Sequence, residues 1–185
     1  MGRGRGVRLG EQSETLTFMA KKKLAGSIGT PATVALRAAG VVFAAHAYAH
    51  DPSAPSYGKE AAQLLGVDPQ RVFKTLMIDV DGTLMVAIVP VNGTLDLKAV
   101  AQVTGHKKAT MAEAALAQRR TGYVLGGISP LGQRQSSPTV LEESALLFDT
   151  IYVSGGHRGF DVELAPTDLI AMTQATTAKI AHRAQ

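Results

Sequence analysis

Residues 72–91 read VFKTLMIDVDGTLMVAIVPV. Two apolar, β-rich runs, 72–80 and 83–91, flank Asp81-Gly82, a dipeptide suited to a two-residue hairpin because both central positions tolerate positive φ. The stretch is therefore an antiparallel hairpin. Both alternating faces of its first strand are largely apolar, which places that strand in the middle of a sheet or beside a cavity. Lys74 breaks the pattern. An unpaired ammonium in such a strand costs several kcal/mol or has its pKa pulled down. Lys74 either serves a site or is structural, as a snorkelling chain at a sheet edge or an ion-pair partner of Asp51 or Asp161.

Working outward, Thr30-Pro31 caps and opens a helix over ATVALRAA that Gly40 stops. Residues 41–48 read as a strand, followed by a turn-rich loop through His50-Asp51-Pro52. Ser56 is placed to cap a second helix, YGKEAAQLL, closed by Gly66. Beyond the hairpin, Asp96 caps LKAVAQVT, and 111–119 reads as a helix. Residues 123–125, 139–141 and 150–153 read as strands. Residues 154–159 read as a glycine-rich turn before a strand over 161–164. Pro166 opens a terminal helix reaching about His182. Interspersed helices and strands with a firm antiparallel hairpin give an α+β domain rather than a doubly wound parallel sheet.

The chain has 185 residues, 45% of them hydrophobic and 18% charged, which fits one globular domain. It contains no cysteine, which excludes disulfides, zinc ribbons, iron–sulfur sites and a cysteine nucleophile. No run approaches the ~18 apolar residues of a membrane span, and the N-terminus lacks the apolar core of a secretory signal. A cytoplasmic location without membrane contact is expected. Up to Gly29 there are six basic and two acidic residues, so the net charge of +4 belongs to that segment and the remainder is neutral. Residues 1–29 read as a basic flexible tail, with Met19 a candidate start, and 30–185 as the domain. The tail is either a solvated extension or a phosphate-contacting arm.

His46 and His50 flank Tyr48, and His106, His157 and His182 stand apart without a metal-ligand pattern. The Gly-x-Gly-x-Gly of residues 2–6 follows no strand and opens no helix, so it carries no dinucleotide site. Neither metal nor cofactor is expected. The loops Gly126-Gly127-Ile128-Ser129-Pro130 and Ser154-Gly155-Gly156 place glycines where backbone amides can approach a ligand oxygen, or they simply make turns. Ser129 and Ser154 lack a nucleophile elbow. Tyr48, Tyr57 and Tyr123 offer hydroxyls and stacking faces, or pack in the core.

With these residues in view, the chain resembles the YbaK family of free-standing aminoacyl-tRNA deacylases, related to the editing domain inserted in bacterial prolyl-tRNA synthetases. The resemblance runs through TPATVALRAAGVVF (30–43), YAHDP (48–52), YGKEAAQLLGVDPQRVFKTL (57–76), TGYVLGGISPLGQ (121–133), TIYVSGGHRG (150–159) and VELAPTDL (162–169). It implies a single domain built on a mixed, mostly antiparallel, curved and barrel-like sheet flanked by short helices. The family's strand lysine falls on Lys74, followed by Thr75, and its Gly-x-x-x-P loop falls on Gly126, Gly127, Ile128, Ser129 and Pro130. Tyr48, Tyr57, Ser154 and Asp161 match its remaining pocket positions.

The resemblance further implies trans-editing of mischarged Cys-tRNA(Pro), with attack by the substrate's own thiol and no protein nucleophile. Lys74 and Gly126 would position the 3′ end. The implied partners are the tRNA(Pro) acceptor end and prolyl-tRNA synthetase, since a neutral body binds tRNA weakly by itself. An alanine-clearing deacylase and a non-catalytic tRNA- or synthetase-binding module are the alternatives.

Overall fold

A computed structural model describes residues 29–53 and 57–183. The basic segment ahead of Gly29, with Met19, and the capping residue Ser56 lie outside the described residues. Helix α1 (Pro31–Ala38) begins as its sequence dictates. Thr33 N–H donates to Thr30 Oγ1 at 3.1 Å, and Thr30 N–H donates to Thr33 Oγ1 at 3.0 Å, a reciprocal capping box. The Thr30 hydroxyl also donates to the Gly155 carbonyl at 2.6 Å, fixing the start of α1 to a strand 125 residues away.

Strand β1 (Phe43–Ala47) and helix α2 (Tyr57–Leu65) follow, and Gly66 ends α2 at φ +66°. A short 3-10 turn (Pro69–Arg71) feeds β2 (Val72–Val80), and β3 (Thr83–Pro90) returns. The hairpin has the expected register, from Val80 opposite Thr83 to Phe73 opposite Pro90. Asp81 and Gly82 both have positive φ, +48° and +87°, the condition for a turn whose twist matches the strands. Strand β4 (Gly93–Leu95) leads into α3 (Leu97–Val103), which Asp96 caps by accepting from Ala99 N–H at 2.9 Å. Then come β5 (Ala109–Met111), α4 (Ala114–Thr121), β6 (Thr139–Glu142), a 3-10 segment (Glu143–Leu147), β7 (Ile151–His157), β8 (Phe160–Leu164), α5 (Pro166–Thr173), β9 (Thr176–Ala178) and β10 (Ala181–Arg183).

The main sheet runs β1-β8-β7-β2-β3-β6-β9, with β5 added to β2; β10 and β4 form a separate ribbon. Within the main sheet, pairs β2–β7, β3–β6 and β6–β9 are parallel and the other four are antiparallel, so the sheet is mixed and mostly antiparallel. One core side holds Leu36, Phe73, Ile88, Leu141, Phe160 and Leu169, the other Ile78, Val80, Val89, Val100 and Ile180, all fully or nearly fully buried.

Four local expectations give way to tertiary pairing. Met111 closes β5 opposite Ile78 and the helix starts at Ala114, because the unpaired edge of β2 captures residues 109–111. Residues 123–125 form no strand: Gly122 ends α4 at φ +79°, and buried Tyr123 instead donates its hydroxyl to the Leu131 carbonyl at 2.7 Å. The 154–159 turn is mostly strand. β7 runs on through Gly155 and Gly156 with a bulge, since a side chain at Gly155 would sit 2.4 Å from the Phe160 ring. The terminal helix stops at Thr173, where Gln174 takes φ +53°. Thr176–Ala178, opened by two β-branched threonines, then pairs with β6, and the buried Glu142 carboxylate accepts from Ile180 N–H at 2.6 Å.

Thr30 joins two elements through one hydroxyl. Thr30→Ala removes both the cap and the tie to β7, and is expected to destabilise the domain by about 1–2 kcal/mol. Chemical denaturation read by circular dichroism measures this as a fall in the midpoint.

Candidate active site

Strand β2 is paired along one edge by β3 for its full length, but unevenly along the other. There β7 covers only Val72 and Phe73, and β5 covers Ile78 to Val80. Between them the two strands diverge, and a cavity of about 340 Å³ fills the fork. Strands that part in this way leave a concave site with unspent backbone and side-chain polarity. Tyr48, Tyr57, Lys74, Thr75, Gly126, Ile128, Ser154 and Asp161 all line it. They arrive from the end of β1, the start of α2, β2, the glycine loop after α4, and the β7–β8 hairpin. Ser154 and Asp161 are directly opposed across that hairpin and so share a face.

Three sequence candidates lie elsewhere. Gly127 is a close-approach residue, its missing side chain replaced by backbone with His157 Cα only 2.8 Å from where a Cβ would stand. Ser129 is fully buried, and its hydroxyl accepts from Leu131 N–H at 3.2 Å, so it shapes the loop. Pro130 lines a separate cavity of about 350 Å³ with Leu131, Met172 and Gln174.

The electrostatics are unusual for a core. Lys74 is half-buried and its ammonium donates to the Gly93 carbonyl at 2.7 Å. An ion pair with Asp51 or Asp161, one of the structural alternatives for Lys74, does not form. Asp51 is occupied by Ser53 N–H and Oγ, at 2.8 and 2.7 Å, in the loop after β1. Burial, and secondarily the charge of Lys59, lower the Lys74 pKa. Asp161 is 7% exposed, and burial pushes its carboxyl up to about 7. Burial and the nearby Asp161 and Glu60 carboxylates raise the Tyr48 phenol. Thr75 Oγ1 is buried on the cavity wall without a hydrogen-bond partner. Ser154 Oγ accepts from Gly156 N–H at 3.3 Å, and no histidine lines the cavity to activate it. A serine nucleophile of the triad type is therefore not assembled. Among the described residues no three His, Asp or Glu converge as a metal site.

Several supporting residues escape sequence reading. His50 Nδ1 and Glu60 Oε2 meet at 2.7 Å, while Glu60 Oε1 accepts from Asp51 N–H at 2.6 Å. This clasp closes the loop between Tyr48 and Tyr57. Arg158, from the β7–β8 turn, lies over the Tyr57 ring at 4.9 Å and holds the Leu125 carbonyl. Met77, Met111 and Ala112 complete the apolar wall. Arg158 stood in a quoted motif, yet only its place beside a loop 33 residues upstream gives it meaning.

The raised Asp161 carboxyl makes stability depend on pH. The unfolded chain loses this proton near the ordinary value of 3.8 and the folded chain near 7, so stability falls as pH rises between the two and then levels off. Asp161→Asn removes that cost. Its urea midpoint is expected to match wild type near pH 4 and to exceed it at pH 8; equal midpoints at both would refute the buried, uncompensated carboxyl.

Known proteins share sequence and fold with this chain. Residues 51–172 match the family model described as the aminoacyl-tRNA editing domain. EbsC of Enterococcus faecalis, named for deacylation of Cys-tRNA(Pro) and Cys-tRNA(Cys), is 39% identical over 123 residues, covering 66% of this chain and 75% of its own. A crystal structure described as a trans-editing enzyme for prolyl-tRNA synthetase superposes with a TM-score of 0.73 at 24% identity, covering 84% of this chain and 99% of that one. A hypothetical protein superposes with a TM-score of 0.73 at 23% identity, covering 83% and 100%. Among the described residues no helix is long and apolar enough to cross a membrane. With the editing-domain match covering β2 to β8, the glycine loop and every cavity-lining residue except Tyr48, the chain belongs to the aminoacyl-tRNA editing domain family and is an aminoacyl-tRNA deacylase.

Proposed function

We propose that this deacylase edits in trans, removing cysteine from Cys-tRNA(Pro), and that the substrate's own thiol performs the attack. The observation that carries the proposal is the cavity itself. It offers a cation without a carboxylate partner at Lys74, unpaired hydrogen-bonding capacity at Thr75, and no activated protein nucleophile. An ester of this kind is already activated, so holding an internal thiol against its carbonyl supplies much of the rate.

Lys74 holds the 3′-terminal adenosine or its phosphate, as a point charge on a half-buried stem. The Gly126 amide faces the ester oxygen as negative charge develops on it. Asp161 is the counter-charge for the substrate α-ammonium, since an opposite charge favours its ionised form. The thiolate sulfur then bonds to the carbonyl carbon, the bond from that carbon to the ribose 3′ oxygen breaks, and the 3′ oxygen takes a proton. A cyclic thioester leaves and opens in water. Similarity to EbsC supports the cysteine substrate. Because residues 30–185 carry as many acidic as basic groups, prolyl-tRNA synthetase in the cytoplasm is the partner that brings the tRNA near, through effective concentration rather than a basic surface. Residues 1–18 are dispensable for the chemistry.

Deacylation of Cys-, Ser- and Ala-tRNA(Pro), measured side by side, tests the substrate. Cysteine is expected to be released much faster than its hydroxyl analogue, with a rate rising about tenfold per pH unit below the thiol pKa of ~8.5. Release of alanine as fast as cysteine would overturn the thiol mechanism.

Lys74→Ala tests the anchor. It is expected to lower kcat/KM by about tenfold or more, the worth of one charge-assisted contact, while the protein stays folded. Lys74→Arg should rescue poorly, because a planar guanidinium does not fit the position of an ammonium. A folded, fully active Lys74→Ala protein would remove Lys74 from the site.

A further inference from the structure

Gly126 occupies a turn whose geometry is held by a residue that does not line the cavity. Gly127 N–H donates to the Val124 carbonyl at 3.0 Å, closing a four-residue turn over residues 124–127. Gly126, in its third position, has φ +82°, whereas Leu125 is not among the residues with positive φ. That combination defines a type II turn. Its central peptide joins Leu125 to Gly126. Rotating that peptide by half a turn converts type II to type I, and a glycine at the third position tolerates either form.

Arg158 acts on this one peptide. Its Nε and Nη2 both donate to the Leu125 carbonyl, at 3.0 and 2.8 Å. Its guanidinium lies 4.9 Å from the centre of the Tyr57 ring, a stacked cation–aromatic contact that limits its own freedom. A side chain at Gly126 would stand 2.8 Å from the Tyr57 ring and 2.9 Å from Arg158 Nε, so the three groups are packed together. The Leu125 C=O and Gly126 N–H belong to one planar trans peptide and point in opposite directions. Fixing the carbonyl therefore fixes the amide. Among the described residues that amide has no acceptor, and Gly126 lines the cavity.

We propose that Arg158 is a positioning residue that locks the Leu125–Gly126 peptide in the type II orientation and thereby keeps the Gly126 amide available to the substrate ester. The proposal rests on the role given above to the Gly126 amide. Without the two hydrogen bonds the peptide flips between turn types, and only a fraction of molecules presents the amide. Misdirected donors act on the chemical step rather than on substrate capture.

The test compares wild type with Arg158→Met, which keeps a flexible stem over Tyr57 without any donor, and Arg158→Lys, which keeps the charge. Kinetics on Cys-tRNA(Pro) are joined by the 15N–1H NMR signal of Gly126. For Arg158→Met, kcat is expected to fall about 10- to 100-fold, since small misplacements near the reacting atoms cost that much. KM should stay within about twofold on that basis. The Gly126 signal should shift or broaden and Tm should hold. Arg158→Lys should retain part of kcat by offering one donor. A rise in KM at unchanged kcat that fades with added salt would overturn the proposal, marking Arg158 as a phosphate contact instead. Full activity of Arg158→Met would also overturn it. Failure of wild type to release cysteine would count against the substrate assignment alone; the lock would then be judged by the Gly126 signal, and an unchanged signal in Arg158→Met would refute it.

Discussion

Strand β2 must satisfy its backbone along both edges, and on one edge its neighbours do not meet. β7 leaves after Phe73 and β5 arrives at Ile78, and the intervening stretch carries Lys74 and Thr75. The candidate site of this domain depends on that gap. Had β7 stayed in register with β2, Lys74 would sit in a continuous apolar sheet with its charge uncompensated, a cost of several kcal/mol. The bulge between Ser154 and His157, with Gly155 packed against the Phe160 ring and Gly156 against Tyr123 and Thr30, bends β7 away. The divergence turns a buried lysine into a lysine on a cavity wall.

Rigid supports surround the gap on every side. The α1 cap is tied to Gly155, the His50–Glu60 clasp shortens the loop between the two tyrosines, and Tyr123 pins the glycine loop at Leu131. These are ordinary hydrogen bonds, each worth about 1 kcal/mol net. Their value lies in direction, since an amide or ammonium placed about 1 Å off loses most of its effect on a reacting centre. Charge is distributed with the same economy. A carboxyl raised to about 7 and a lysine lowered from its ordinary value face one cavity without neutralising each other. Each remains available to a substrate group of opposite sign.

Reading Asp81-Gly82 as a hairpin and Thr30, Asp96, Gly40 and Gly66 as helix boundaries succeeded because caps and tight turns are satisfied by neighbours within a few residues. Residues 109–111 and 176–178 were illegible as strands for the opposite reason: each is only three residues long, and each takes its conformation from the strand it joins. The glycine stretch at 154–159 misled because Gly-Gly is the usual mark of a turn, while here Gly155 makes room for the Phe160 ring and Gly156 for Tyr123 inside a strand.

Local sequence is enough for the hairpin, the helix boundaries at Thr30, Gly40, Gly66 and Asp96, the α+β class and the presence of an apolar strand interrupted by one lysine. These follow from local backbone preference and from the cost of burying a charge, both of which are properties of adjacent residues. Only the tertiary structure decided that Lys74, Gly126, Ser154 and Asp161 share a cavity, that Ser129 and Pro130 do not, and that Arg158 holds the peptide ahead of Gly126. Those relations join segments far apart in the chain, and they are set by where strands part company and by which ring fills which glycine gap. No local periodicity encodes them, because the atoms that enforce each one lie on another part of the chain.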